Sequence, residues 1–386
     1  MPLTFDFEDF DPAASLEGES PSGENLHLTD EGRAARSALR DLREEARRIE
    51  RKADEGDLAD GGWPAARSIW KEVRDQSLEV LKTRSHDLEI AALCIEALAR
   101  TDGFLGLAFG FEMVRAMAEQ QWNSLYPLPD PDDGPMDESG IAEEKILPIQ
   151  RLVGLDTEGL LVPAMLRIPL TFSRDGEEYG LCHWRSSREL VSESDEEKLK
   201  LAVERGATSP KQFDEAVQET PQSQLKESFS ELQQAAAAWE QLSETIAEVS
   251  QGLAVLPAGP LRDVFEECVA AYQAFAPSAV AEEASLSEDS EQQGEVTAAG
   301  GDEAGGATAV GRIRTRSEAF EQLEKIASFF ENHDPHSLIA AHLRSVVRLG
   351  RLPREDYYRQ LLKDESALSI LFNAVGIDPS PDNEYS

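Results

Sequence analysis

Residues 277–311 read PSAVAEEASLSEDSEQQGEVTAAGGDEAGGATAVG, without a single Lys, Arg or aromatic side chain. A segment of that composition cannot bury enough apolar surface to offset the entropy of ordering it, so a disordered acidic linker is expected there. No common core can run through such a stretch. The chain of 386 residues must then fold as separate bodies, and a Gly-rich coil of about 35 residues would give them a reach of roughly 30 to 35 Å.

Ahead of the linker the apolar pattern is mostly helical. Thr29 or Asp30 can cap a helix whose apolar positions Ala35, Leu39, Leu42, Ala46 and Ile49 recur every three or four residues. Trp63-Pro64 predicts a second start with proline at the first helical position, burying Ile69, Trp70, Val73, Val80 and Leu81. Ser85 is read as the cap of a third helix, carrying Leu88, Ala92, Ile95 and Leu98, and Gly103 opens a fourth that ends near Pro127. From there to about Leu190 the pattern loosens. Within it, LRIPLTFS followed by YGLCHW predicts a short β-hairpin. Ser209-Pro210 opens helices again, and the series Phe229, Leu232, Ala236, Trp239, Leu242, Ile246, Val249, Leu253 predicts a long helix with a near-heptad face. A last helix, Leu261 to Phe275, turns Phe265, Cys268 and Tyr272 inward.

Beyond the linker, Thr315-Arg-Ser-Glu318 forms a capping box, Phe320, Leu323, Ile326 and Phe330 line one helix, and DESALSILFNAVGI supplies another that Gly376 ends. A helical module of about 70 residues is near the lower limit for independent stability and would gain from self-association.

The balance of 37 basic against 75 acidic side chains gives a formal charge of −38. A surface that acidic repels phosphate backbones, which argues against nucleic acid as a partner. The leader MPLTFDFEDFDPAASLEGE has neither a basic n-region nor an apolar h-region, so no signal peptide is expected. No stretch is long and apolar enough for direct membrane insertion. Cys94, Cys182 and Cys268 are widely spaced, which suits a reducing, cytoplasmic setting.

Motifs for nucleotide, hydrolase or zinc chemistry are missing, and neither a cofactor nor a metal is expected. PDPDDG places Pro129 and Pro131 where two calcium ligands of an EF-hand would have to be. His336 and His342 are six residues apart, off the spacing that aligns two ligands on one helix face. Cys182 and His183, read as strand neighbours, point to opposite sheet faces and so make no thiol pair. Gly103, Gly106 and Gly110, spaced by three and then four, share one helix face. Two readings stand for that face: tight packing within a core, or a groove for a partner helix. The alternation of Phe5, Phe7 and Phe10 among acids likewise reads either as a disordered tail or as a docking strand.

Several separated stretches resemble one family. PSGENL at Pro21 to Leu26 is similar to its opening motif, and SHDLEIAALCIEALARTDGFLGLAFGFEMVRAMAEQQWNSLYPLPDPDDG to its central signature. Asp87, Leu88, Gly103, Gly106, Leu107, Gly110, Trp122 and Pro127 fall at the signature positions, with His86 where a lysine is common. LLVPAMLRIPLT resembles the segment that follows. In the C-terminal module RSEAFEQLEKIASFFENHDPHSLIAAHLRSVVRLGRLP is similar to the block of short-tailed members, with Phe330, Pro335, His336 and Ser337 matching and Asp334 and Leu338 departing. On these residues the chain resembles TssA, the proteins with an ImpA N-terminal region found in bacterial type VI secretion systems.

The resemblance implies a mainly α fold, with helical bundles and at most a small β-hairpin. The expected domains are a flexible acidic leader over 1–20, an ImpA-type helical domain over 21–190, a middle helical region with the long helix over 191–276, the linker over 277–311 and a C-terminal oligomerisation module over 312–386. It further implies a non-enzymatic cytoplasmic scaffold or cap, homo-oligomeric as a ring, that engages baseplate, spike, inner-tube and sheath proteins and promotes their polymerisation. The alternative is an acidic helical adaptor or chaperone that delivers effectors or other cargo.

Overall fold

The computed structural model describes residues 10–18, 20–129, 136–154, 159–192, 196–204 and 206–281, together with 323–325, 327–328, 343–345 and 347–348. The chain divides into two compact units, Met1–Ala298 and Ala299–Ser386. In the second, 323–325 and 343–345 are helical, and Ala327 and Val347 are buried. The predicted signature residues Phe330, Pro335, His336 and Ser337, with Phe5 and Phe7 of the leader, lie outside the described residues.

The first unit is mainly α. Thr29 caps helix α1 (Asp30–Asp54) by accepting from the Gly32 N–H at 3.0 Å. Leu39, Ala46 and Ile49 are buried as the spacing predicts, and Arg36 joins them in the stripe. Helix α2 (Gly62–Thr83) starts at Gly62, which moves Pro64 from the predicted first helical position to the third. Both places fall in the first turn, where the missing N–H leaves no helical bond unmade. Helix α3 (Leu88–Thr101) is capped by Asp87 and not by Ser85, because Ser85 is already committed to a backbone bridge with Gly23. Helix α4 (Gly103–Gln121) follows after a single residue.

The loosely patterned region holds more helix than its sequence predicts, α5 (Glu138–Val153), α6 (Leu161–Met165) and α7 (Leu181–Glu189), and α8 (Glu196–Glu204) follows it. The predicted hairpin is present as β1 (Pro169–Phe172) antiparallel to β2 (Glu178–Gly180). It stops at Gly180, so Cys182 and His183 stand in the first turn of α7 and not on a strand. Cys182 Sγ lies 3.4 Å from His183 Nδ1, yet that nitrogen accepts from the Gly180 N–H at 2.9 Å and burial raises the thiol pKa. Such a thiol stays protonated and is a poor nucleophile.

Helix α9 (Pro210–Glu219) has the capping box of Ser209 and Gln212. The long helix α10 (Gln222–Val249) ends at Val249, leaving Leu253 in the following loop and 39% exposed. Helix α11 (Gly259–Phe275) returns antiparallel, with Phe265, Cys268 and Tyr272 buried as predicted. Residues 277–281 add one more helical turn, with Ala279 fully buried, so the predicted linker boundary at 277 falls too early. The rest of the predicted linker, 282–311, lies outside the described residues.

Helix α4 is the hub. Its Phe111 ring sits 5.2 Å from that of Trp239 on α10, and Phe104 lies 6.5 Å from Phe265 on α11. One main core therefore runs from Leu26 to Ala279 and crosses residue 190 without a seam. A smaller cluster of Ala46, Trp70, Val73 and Ala97 lies beneath α1, α2 and α3. Among the described residues no helix is long and apolar enough to cross a membrane.

Candidate functional site

The signature residues gather where three separate stretches meet: the PSGENL motif, the start of α3, and the exit from α4. A miniature ribbon joins them. The His86 N–H donates to the Ser22 carbonyl and the Glu24 N–H to the Arg84 carbonyl, both at 2.9 Å. On the other side of the same segment, the Leu88 N–H donates to the Tyr126 carbonyl at 2.8 Å and the Tyr126 N–H to the His86 carbonyl at 3.1 Å. The peptide between Tyr126 and Pro127 is cis. Gly23 has φ of +76°, and a Cβ there would lie 2.2 Å from the Arg84 carbonyl oxygen, so no other residue fits this turn.

Side chains close the junction from inside. Gln121 Oε1 accepts from the Ser22 hydroxyl at 3.0 Å and faces His86 Nδ1 at 2.7 Å, while its amide donates to the Ala14 carbonyl at 3.0 Å. The Tyr126 hydroxyl donates to the Gly23 carbonyl at 3.2 Å and the Ser85 hydroxyl to the Glu24 carbonyl at 2.7 Å. Ser22, Ser85, His86 and Asp87 are fully buried. Burial lowers the His86 pKa, which keeps the ring neutral at physiological pH.

Asp87 heads α3, its Oδ1 accepting from the Glu89 N–H at 2.8 Å. Its other oxygen has no partner, and burial pushes its pKa up to about 6. His27, Asp87 and Glu89 bring ligand atoms within 4.8 Å of one another, a grouping that invites a metal reading. Arg36 answers that reading: one guanidinium nitrogen lies 3.0 Å from His27 Nδ1 and another pairs with Glu89, which Arg40 also meets at 2.6 Å. Burial opposes ionisation of Glu89, but the Arg36 hydrogen bond and the two guanidinium charges outweigh it and hold its pKa below the ordinary value. The positive charge the carboxylates need is supplied by the protein itself.

The remaining predicted positions serve packing. Leu88 is fully buried, and Trp122 and Pro127 are half-buried. A Cβ on Gly106 would lie 2.6 Å from the Leu98 carbonyl oxygen, and one on Gly110 would lie 2.8 Å from the Ile95 side chain. Both glycines face α3, which decides for tight packing over an open groove. Gly103 is set apart from them by its φ of +65° and makes the turn between α3 and α4.

Sequence reasoning missed three contributors. Ser22 and Gln121 lie inside the PSGENL and signature stretches but are not singled out there. Lys145 did leave a signal, since it shares the helical face of Ala142, Ile149 and Leu152. It is 2% exposed, lies 4.9 Å from the Trp122 ring centroid and donates to the Trp122 carbonyl at the end of α4. Burial brings its pKa down to about 8. A cation at a helix C-terminus meets the negative end of the helix dipole.

A second polar network ties α1 to α3. Glu96, 1% exposed, pairs with Arg43 at 2.6 Å and Arg100 at 3.3 Å, with Arg47 at 3.9 Å. Arg100 also meets Glu50 at 2.8 Å, which in turn accepts from the Trp70 indole at 2.7 Å. Through Gln121 the junction forms a polar knot that ties the N-terminal motif to the helices.

Residues 13–154, which hold that knot, match the family model described as ImpA, N-terminal, type VI secretion system. Fold and site thus define a helical protein with an ImpA N-terminal region. The chain is 26% identical over 353 residues to the type VI secretion system component TssA1 of Pseudomonas aeruginosa, spanning 91% of this chain and 94% of that protein. The solved N-terminal domain, including the conserved ImpA_N region, of the TssA component from Burkholderia cenocepacia is similar in fold. Its TM-score is 0.52 at 21% identity, covering 69% of this chain and 93% of that one. Residues 13–154 thus carry the ImpA N-terminal region, and the chain as a whole is similar to a TssA component of a type VI secretion system.

Proposed function

We propose that this chain is a non-enzymatic cytoplasmic scaffold of a type VI secretion system, which engages baseplate, spike, tube or sheath components and promotes their polymerisation. The likeness to a secretion component along nearly the whole of both chains carries the reading. The signature supports it, because Gln121 holds Ser22, His86 and the Ala14 carbonyl together. Residues used in that way build a rigid body, and a rigid body is what a scaffold presents to its partners.

Tagged full-length chain, recovered from cells with an assembled system, tests this. Tube, sheath or baseplate proteins in the eluate support the scaffold; effectors in their place move the reading to cargo delivery. The ring proposed for the C-terminal module is tested by light scattering of the full chain beside a chain ending at Ala298. A multi-subunit mass for the first and a monomer mass for the second is the expected outcome, and monomers for both remove the ring.

A further inference from the structure

We propose that the outward groove between α10 and α11 receives an amphipathic helix from a partner protein, with Lys or Arg flanking its apolar face. The inference goes beyond the scaffold reading and rests on this surface alone. The inner faces of the two helices are consumed by the core, where Trp239 meets Phe111 and Phe265 meets Phe104. Their outer faces leave a groove of about 350 Å³, to which α10 brings Ala236 and Ala237 and α11 brings Val269 and Ala270, with the buried Phe265 as its floor. Two antiparallel helices with alanines at the seam let a third backbone approach closely, and a third helix completes the packing that a helix pair begins.

Charge selects the occupant. Of the charged residues that line the groove, Glu240 and Glu266 are acidic and Arg262 is basic. At the rim Glu240 is matched by Arg262, at 2.7 Å, which pins the two helices at one end of the groove. Glu266 lines the same rim and is exposed. A second copy of the chain would bring the same negative excess to this face, whereas a helix with basic flanks would be drawn to it.

The test uses the full chain and a fluorescent peptide of about five helical turns, built from Leu, Ala and Lys as an amphipathic helix. A matched peptide carries Glu in place of Lys. The competing variant combines Ala237→Lys with Ala270→Lys, both at exposed positions, and its melting temperature is measured alongside. The Lys peptide is expected to bind the natural chain and to bind the variant at least about tenfold more weakly, the loss typical of a displaced central contact, while the Glu peptide does not bind. No binding of the Lys peptide, equal binding by the variant, or equal binding of the Glu peptide each overturns the proposal. So does a lower solution mass for the variant than for the natural chain, which would assign the groove to a second copy.

Discussion

Gly106 of α4 faces the Leu98 carbonyl of α3 so closely that a Cβ on it would stand 2.6 Å from that oxygen. The obstacle is backbone, which cannot swing aside as a side chain would. Gly106→Ala should therefore cost about 1–3 kcal/mol despite the higher helix propensity of alanine, through forced separation of α3 and α4. Gly259, at the start of α11 with nothing within 4 Å of its would-be Cβ, serves as the control. Gly259→Ala should leave the melting temperature unchanged or raise it, and equal losses at the two sites would sink the account.

Asp87 should give the first unit an acid-side signature. Its pKa rises from an ordinary 3.8 to about 6, so the folded state holds a proton that the unfolded chain has already released. This contribution is fully present below about 3.8 and is lost as pH rises through about 6. Asp87→Asn keeps an N-cap oxygen and should gain relative to the natural chain as pH rises across that window. A difference in unfolding free energy that stays flat with pH would contradict the burial described for this carboxyl.

Lys145 predicts the opposite end of the scale. Its pKa falls from 10.5 to about 8 on folding, so between those values the unfolded chain binds more protons and stability climbs with pH. Replacing Lys145 with Met should abolish that climb while keeping the packing against Trp122. Denaturant melts of both chains at a series of alkaline pH values would decide it.

Glu96 is the buried anion between three arginines. Glu96→Gln should destabilise by about 3 kcal/mol or more, since it strands guanidinium groups in a site built to neutralise them. Arg40→Gln, at an exposed rim partner of Glu89, should cost well under about 1 kcal/mol. Comparable losses from the two substitutions would show that burial is not what sets the cost.

Where apolar spacing and capping chemistry agreed, the sequence was readable: Thr29, Ser209, the hairpin at Pro169 and the inward face of α11 all stand as predicted. Reading failed where tertiary bonds outbid local ones. Ser85 looks like a cap but spends its hydroxyl on Glu24, sixty-one residues earlier in the chain, which leaves Asp87 to head α3. Helix α5 hid behind Pro148 and the buried Lys145, two residues that break an apolar stripe on paper. At the junction, Asp87 and Leu88 could be picked out by resemblance, while Ser22 and Gln121, ninety-nine residues apart, could not be paired from any local pattern.

The contact of Phe111 with Trp239 also bears on the order of events at the ribosome. The stretch matched by the ImpA family model ends at residue 154, yet Phe111 of α4 is met by Trp239 of α10, a helix that finishes at Val249, and Phe104 by Phe265 of α11. During synthesis Phe111 lacks its partner until nearly a hundred further residues have emerged. Nascent chains of intermediate length thus display an oily helix to every chaperone and neighbour they meet, and the domain's birth is timed by its last long helix.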